Sequence, residues 1–308
     1  MTIKSLKVLA LSAFLSLLGA CATATAPAVP EKDAPPPPQN LLGTTDELQL
    51  IAELSLGLAK TYGPEQVLVV LDIDNTLLAM EQDLGSDQWY SWQEDLEGEN
   101  PCSPLLVGDR LEVQGALYFA SAMRPTQADA AKQVARMQQA GLKVIVLTAR
   151  GPGFRLATFR ELRRNGFNFW PNAWPPQQGF PEPFIPEGGT RPAVYEDGVI
   201  FAAGQDKGST LKSVLDLSGQ PYPALIVMAD DKQSNLNQLM SAFSWSGTKV
   251  HAWRYTREDD TVEAFDPDKA STLWSELKPP LEQIEKLLGP DNYTLSPEAI
   301  REACAPSN

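Results

Sequence analysis

Histidine is almost absent from this 308-residue sequence. The single one, His251, excludes any multi-histidine metal site and reads as a strand residue rather than a ligand. Cysteine is scarce too, at positions 21, 102 and 304. Cys21 is assigned below to an anchor. Cys102 and Cys304 are a candidate structural bridge worth about 2–5 kcal/mol, and no third thiol remains for cysteine catalysis. Basic residues are in deficit, with 25 Lys and Arg against 39 Asp and Glu and a formal net charge of −14. That balance suits neither nucleic acid nor anionic lipid. It also repels phosphorylated ligands, so a site for them would need local positive charge and a metal. Long hydrophobic runs are missing: the stretch from Val8 to Leu18 is too short to span a membrane.

What the N-terminus does have is Lys4 and Lys7, that apolar run, and the small residues Gly19 and Ala20 before Cys21. Residues 1–20 therefore read as an export signal. The string Leu18-Gly19-Ala20-Cys21 resembles a bacterial lipobox. The resemblance implies that Cys21 becomes the N-terminus and carries acyl chains that hold the protein on a membrane. Ala22 in place of Asp resembles the outer-membrane-sorted type, so the expected location is the periplasmic face of the outer membrane. Losing Lys4 and Lys7 takes the remainder to −16. Residues 21–43, rich in Ala, Thr and Pro and including Pro35-Pro36-Pro37-Pro38, read as an extended tether. Residues 44–289 are the expected folded domain and 290–308 a tail.

Within that domain, strand and helix signals alternate. Thr45, Asp46 and Glu47 precede a stretch periodic through Leu48, Ile51, Leu54 and Leu58 that stops at Gly63-Pro64, which predicts a capped helix. Val67 to Leu71 is a branched apolar run without alternation, the pattern of a strand buried on both faces. Thr126 is the expected cap of a helix to Gln139, followed by a strand from Val144 to Leu147. A helix from Phe154 to Arg164 and a hairpin turning on Asp197-Gly198 come next. A helix from Gly208 to Leu217, a strand from Leu225 to Met228, a helix through Leu236 and Leu239, and a strand from Val250 to Trp253 complete the series. The expected class is α/β, a doubly wound parallel sheet with cap insertions. Residues 79–123, with Trp89, Tyr90 and Trp92, and residues 167–193 are too long for plain loops and are the expected cap elements. The three aromatic residues would form a lid over an aromatic or sugar moiety, or, more commonly, pack cap against core.

The strand ends then present Asp72, Asp74, Thr148, Lys207 and the pair Asp230-Asp231. Asp72-Ile73-Asp74-Asn75-Thr76-Leu77 resembles the Asp-x-Asp-x-Thr signature of haloacid dehalogenase phosphatases. Val146-Leu147-Thr148-Ala149-Arg150 resembles the second motif of that superfamily, Lys207-Gly208-Ser209-Thr210-Leu211 the third, and Val227-Met228-Ala229-Asp230-Asp231, with Asn235 beyond, the acidic fourth. Each motif alone is weak; the ordered set is specific and spans about residues 45 to 265. The resemblance implies Asp72 as nucleophile and Asp74 as acid–base. It also implies Thr148, Ala149 and Lys207 around phosphate, and Mg2+ held by Asp72, the Asp74 carbonyl and Asp230 or Asp231.

Elementary chemistry is compatible with those roles. Residues i and i+2 of an extended strand share a side, so Asp72 and Asp74 can both face a cleft while Ile73 packs inward. One carboxylate can attack phosphorus and the other can shuttle a proton. Several acids beside a phosphate dianion repel by about 4 kcal/mol per pair at 4 Å and an effective dielectric of 20, which calls for a divalent cation. All-oxygen ligands favour Mg2+. Lys207 precedes a helix start, a costly place for a cation unless an anion joins it; Lys212 is its rival. Arg150 either reaches a substrate phosphate or lies on the surface. The expected activity is hydrolysis of small phosphomonoesters. The alternatives are phosphoryl transfer or mutase chemistry on the same scaffold, and a non-catalytic binding lipoprotein.

Overall fold

Val67–Leu71 is buried at every position, because its alternate residues serve two different hydrophobic layers. Val67, Val69 and Leu71 belong to one, and Leu68 and Val70 to the other. This strand is β2 of the computed structural model, which describes residues 35–289. In chain order the elements are β1 (Leu41–Thr45), α1 (Leu48–Tyr62), β2, β3 (Leu78–Met80), α2 (Asp87–Glu99), α3 (Arg110–Ala120), β4 (Met123–Pro125), α4 (Ala130–Gln139) and β5 (Lys143–Thr148). They continue with α5 (Arg155–Arg164), β6 (Val194–Glu196), β7 (Val199–Phe201), α6 (Lys207–Ser218), β8 (Leu225–Asp230), α7 (Gln233–Ala242), β9 (Lys249–Tyr255), α8 (Asp259–Glu263) and α9 (Pro267–Leu288). All lie in the unit that begins at Pro37. No helix among the described residues is long and apolar enough to cross a membrane.

Seven strands form one sheet in the order β1-β9-β8-β2-β5-β7-β6. Every pair is parallel except β6 and β7. Helices α1, α4 and α5 cover one face with Ile51, Val134 and Leu162; α6 and α7 cover the other with Leu211, Val214 and Leu236. The β6–β7 hairpin turns on Asp197 and Gly198, at φ 48° and 82°, the left-handed pair that such a two-residue turn demands. The α/β class with a mostly parallel sheet is thus as the sequence suggests. Because β2 has β5 on one side and β8 on the other, the chain crosses both ways from the centre. Open α/β sheets carry their ligand crevice at such a reversal, outside the carboxyl ends of the strands.

Several local expectations are corrected. The domain starts at Leu41, inside the stretch read as tether, because Leu41–Thr45 pairs in parallel with β9. Gly43 permits this, since a Cβ there would lie 2.6 Å from the Trp253 ring. Thr45 ends that strand instead of capping α1, whose first amide, Leu48 N–H, donates to Gln127 Oε1 at 2.9 Å. Thr126 does not cap α4 either: its hydroxyl donates to the Thr76 carbonyl at 2.6 Å, and α4 begins at Ala130. The 22-residue α9 was not foreseen. His251 lies in β9 as expected. The signal, Cys21, Cys304 and the tail from 290 lie outside the described residues; Cys102 is disulfide-bonded.

The two insertions differ. Residues 79–123 rise on the antiparallel pair β3 and β4 and carry α2 and α3. Leu84, Trp89, Val107, Val113 and Leu117 form a small core with Ala270 of α9, and Trp92 tilts against Phe265 at 5.9 Å. The aromatic residues therefore hold the insertion together. Residues 167–193, expected as a second cap element, instead run along β6: Phe180 N–H donates to the Tyr195 carbonyl at 3.0 Å, and Phe184 and Ala193 exchange backbone bonds. Trp174 Nε1 donates to Ser218 Oγ at 2.9 Å, seating the segment against α6. It shields the sheet's edge strand, which would otherwise invite pairing with another chain.

Trp89 is 1% exposed and Trp245 is 99% exposed. Trp89→Ala should cost about 3–5 kcal/mol in urea denaturation, while Trp245→Ala should stay within about 0.5 kcal/mol.

Candidate active site

The sheet register brings the acids together. Leu71 of β2 lies opposite Ala229 of β8, and Asp72 N–H donates to the Ala229 carbonyl at 3.0 Å, so Asp72 and Asp230 emerge side by side. Lys207 is the first residue of α6, and its amide donates to Gln238 Oε1 at 2.9 Å. Gly208 lets that helix start sit against α7, for a Cβ there would fall 2.3 Å from the Gln238 carbonyl oxygen. From this seat Lys207 Nζ donates to Asp72 Oδ1 at 2.6 Å and to Asp230 Oδ2 at 2.7 Å. The anions that a lysine at a helix start requires are these two carboxylates. All three groups are buried, where desolvation costs several kcal/mol per ion unless each is paired.

Both oxygens of Asp230 have donors. Its Oδ1 accepts from the Lys232 amide at 2.8 Å and from Asn235 Nδ2 at 2.8 Å. Asp72 keeps Oδ2 open, and no hydrogen-bond donor among the described residues reaches the Asp231 carboxylate. The electrostatics record that imbalance. Burial, followed by Asp230 and Asp74, outweighs the attraction of Lys207 and pushes the Asp72 carboxyl up to about 7. Burial, then Asp72 and Asp230, hold Asp231 well above its ordinary range. Lys207 is held above its usual value, burial being overcome by Asp230 and Asp72. Asp72, Asp230 and Asp231 each place a carboxylate oxygen within 4.8 Å of the others. A hard cation bound by oxygen fits this donor set and would relieve the excess negative charge.

Asp74 stands at the mouth, 16% exposed at its side chain, while Ile73 is buried in the core between the two acids. Asn75, at φ 58°, turns the chain away immediately afterwards. Arg150 grips Asp74 with two parallel bonds, Nε to Oδ2 at 2.9 Å and Nη2 to Oδ1 at 2.7 Å. Tyr118 donates its hydroxyl to Oδ1 at 2.8 Å. Burial alone would raise the Asp74 carboxyl, but the Arg150 charge and these hydrogen bonds hold it below its ordinary value.

Thr148 is buried at the end of β5. Its Oγ1 accepts from the Arg150 amide at 3.2 Å, leaving the hydroxyl proton free. Ala149 is exposed beside it. Arg150 is neither on the surface nor open to a ligand: it is buried, with Nη1 on Thr158 Oγ1 at 2.8 Å. Lys212 lies away from the acids, paired with Asp216 at 3.0 Å. No local pattern points to Tyr118, whose link to Asp74 joins residues 44 apart, or to the Asp87–Lys232 ion pair at 2.8 Å between α2 and the loop after β8.

A family model described as Protein of unknown function (DUF2608) matches residues 47–286, which holds every residue of this site. The chain belongs to that family. No curated protein matches it. In this DUF2608 member, the matched span starts one residue before α1 and stops inside α9, so it takes in the insertion, its supporting helix and most of the sheet.

Lys207→Met should leave two buried carboxylates without their counter-charge and cost about 3–5 kcal/mol, read by urea denaturation in metal-free buffer.

Proposed function

We propose that this protein is a Mg2+-dependent phosphomonoesterase of the haloacid dehalogenase type. The observation that carries the reading is the Lys207 ammonium shared by Asp72 and Asp230, with the unpartnered Asp231 alongside. A lone strand-end acid would need no such counter-charge. In this reading the open Asp72 oxygen and Asp231 would hold the cation, with the Asp74 backbone carbonyl. Asp230, already committed to Lys207, Lys232 and Asn235, orients the lysine and the loop. The bound cation would draw charge from the phosphoryl oxygens; oxygen donors alone favour Mg2+ over softer metals.

The chain's residues then divide the work. Lys207, the Thr148 hydroxyl and the Ala149 backbone amide take the phosphoryl oxygens. Asp72 attacks phosphorus, forming a P–O bond as the ester P–O bond breaks, and the leaving oxygen takes a proton from Asp74. The Arg150 clamp disfavours the carboxyl form of Asp74 in the free protein, and the negative charge of the bound phosphate ester restores it. Asp74, now ionised, removes a proton from water. That water attacks phosphorus and breaks the Asp72–phosphorus bond, releasing phosphate and restoring both acids. The insertion of residues 79–123 acts as the cap, reaching the site through Tyr118 and Asp87. Export and a lipid anchor at Cys21 belong to the same proposal and would place the activity outside the cytoplasm.

A panel of small phosphomonoesters with the purified protein tests this. Turnover should be lost in EDTA and return with Mg2+. Asp72→Asn should lower kcat by at least about 10³-fold with the circular dichroism spectrum unchanged; wild-type turnover by that variant would overturn the reading. Asp231→Asn should raise the Mg2+ concentration for half-activation by roughly tenfold or more, measured by titrating initial rates.

A further inference from the structure

Tyr118 is buried at 3% exposure, yet it carries a hydroxyl. Such a group is costly to bury unless it is hydrogen-bonded, and the bond it makes is to Asp74 Oδ1. The ring is fixed independently of that bond. It lies edge-on to Phe154 at 5.5 Å, and the Arg150 guanidinium stacks over it at 4.2 Å. Arg150 is anchored in turn by Thr158. Packing therefore sets where the hydroxyl stands, and the hydroxyl in turn acts on Asp74.

Each carboxylate oxygen has two acceptor positions. The Arg150 fork fills one on each oxygen and leaves the two oxygens equivalent. Tyr118 breaks that symmetry by taking the second position on Oδ1, so Oδ2 alone keeps an open one. We propose that Tyr118 is a positioning residue that makes Oδ2 the oxygen through which Asp74 exchanges its proton with the leaving group and with water. Its place on α3 makes the seating of the insertion a condition for an aligned acid–base. This inference rests on the phosphatase reading above.

Tyr118→Phe tests it, because the substituted ring keeps its packing on Phe154 and Arg150. It should be assayed with an alkyl phosphate, whose departing alkoxide needs a proton, and with an aryl phosphate bearing a good leaving group, which does not. The expected result is a roughly 10- to 100-fold fall in kcat/KM for the alkyl ester and a change of less than about threefold for the aryl ester. Inhibition by inorganic phosphate should stay within about twofold and the urea midpoint should be unchanged. An unchanged kcat/KM for the alkyl ester, or an equal fall for both esters, would overturn the proposal. Asp72→Asn run beside it separates the failures: if that variant turns over normally, the phosphatase reading falls; if it is dead while Tyr118→Phe treats both esters alike, only the role of Tyr118 falls.

Discussion

One ammonium group holds the centre of this molecule. Lys207 Nζ sits between two carboxylates that belong to neighbouring strand ends, at 2.6 and 2.7 Å, and none of the three groups has appreciable contact with water. Withdrawing the lysine would leave two like charges in a low-dielectric pocket, where their repulsion is strongest. The requirement reaches outward into the scaffold. It needs β2 and β8 adjacent and in register, α6 starting where it does, and a glycine at 208 so that helices α6 and α7 can touch.

Even so, the arrangement is incomplete as a charge balance. Asp72, Asp74, Asp230 and Asp231 confront Lys207 and Arg150 at the crevice, and the surplus falls on Asp72 and Asp231, the two acids with oxygens still open. The surplus is local rather than a reflection of the acidic chain as a whole. Arg150 neutralises Asp74 so thoroughly that the mouth of the crevice differs from its floor: the floor is acid-rich and suited to a cation, the mouth a clamped carboxylate suited to moving one proton.

Much of this was legible in the sequence, because the strongest signals are local. The buried run Val67–Leu71, the Asp197-Gly198 turn and the acids at successive strand ends each follow from a few contiguous residues, and the structure brings Asp72, Lys207, Asp230 and Asp231 together. What escaped depends on distant partners. Thr126 looks like a helix cap until the Thr76 carbonyl competes for its hydroxyl. Leu41–Thr45 looks like linker because an edge strand needs only one neighbour, and that neighbour is β9. Residues 167–193 look like a cap element because length and aromatic content cannot reveal that they run along the edge strand β6. Tyr118 is indistinguishable from any buried aromatic residue of an amphipathic helix until α3 is docked.

The docking of α9 has a consequence for the order in which the molecule is made. The small core under the insertion draws on residues 84–117 and on Ala270, Leu273 and Leu277, so its two halves are separated by nearly the whole sheet in the chain. A ribosome releasing the protein from its N-terminus delivers Asp72, Lys207 and Asp230 before the helix that steadies the insertion exists. The acidic floor can therefore form while the element carrying Tyr118 still lacks half its support. Helix α9 then completes the small core behind α2 and α3, so the insertion is finished from the outside by a segment made after the acids it overlies.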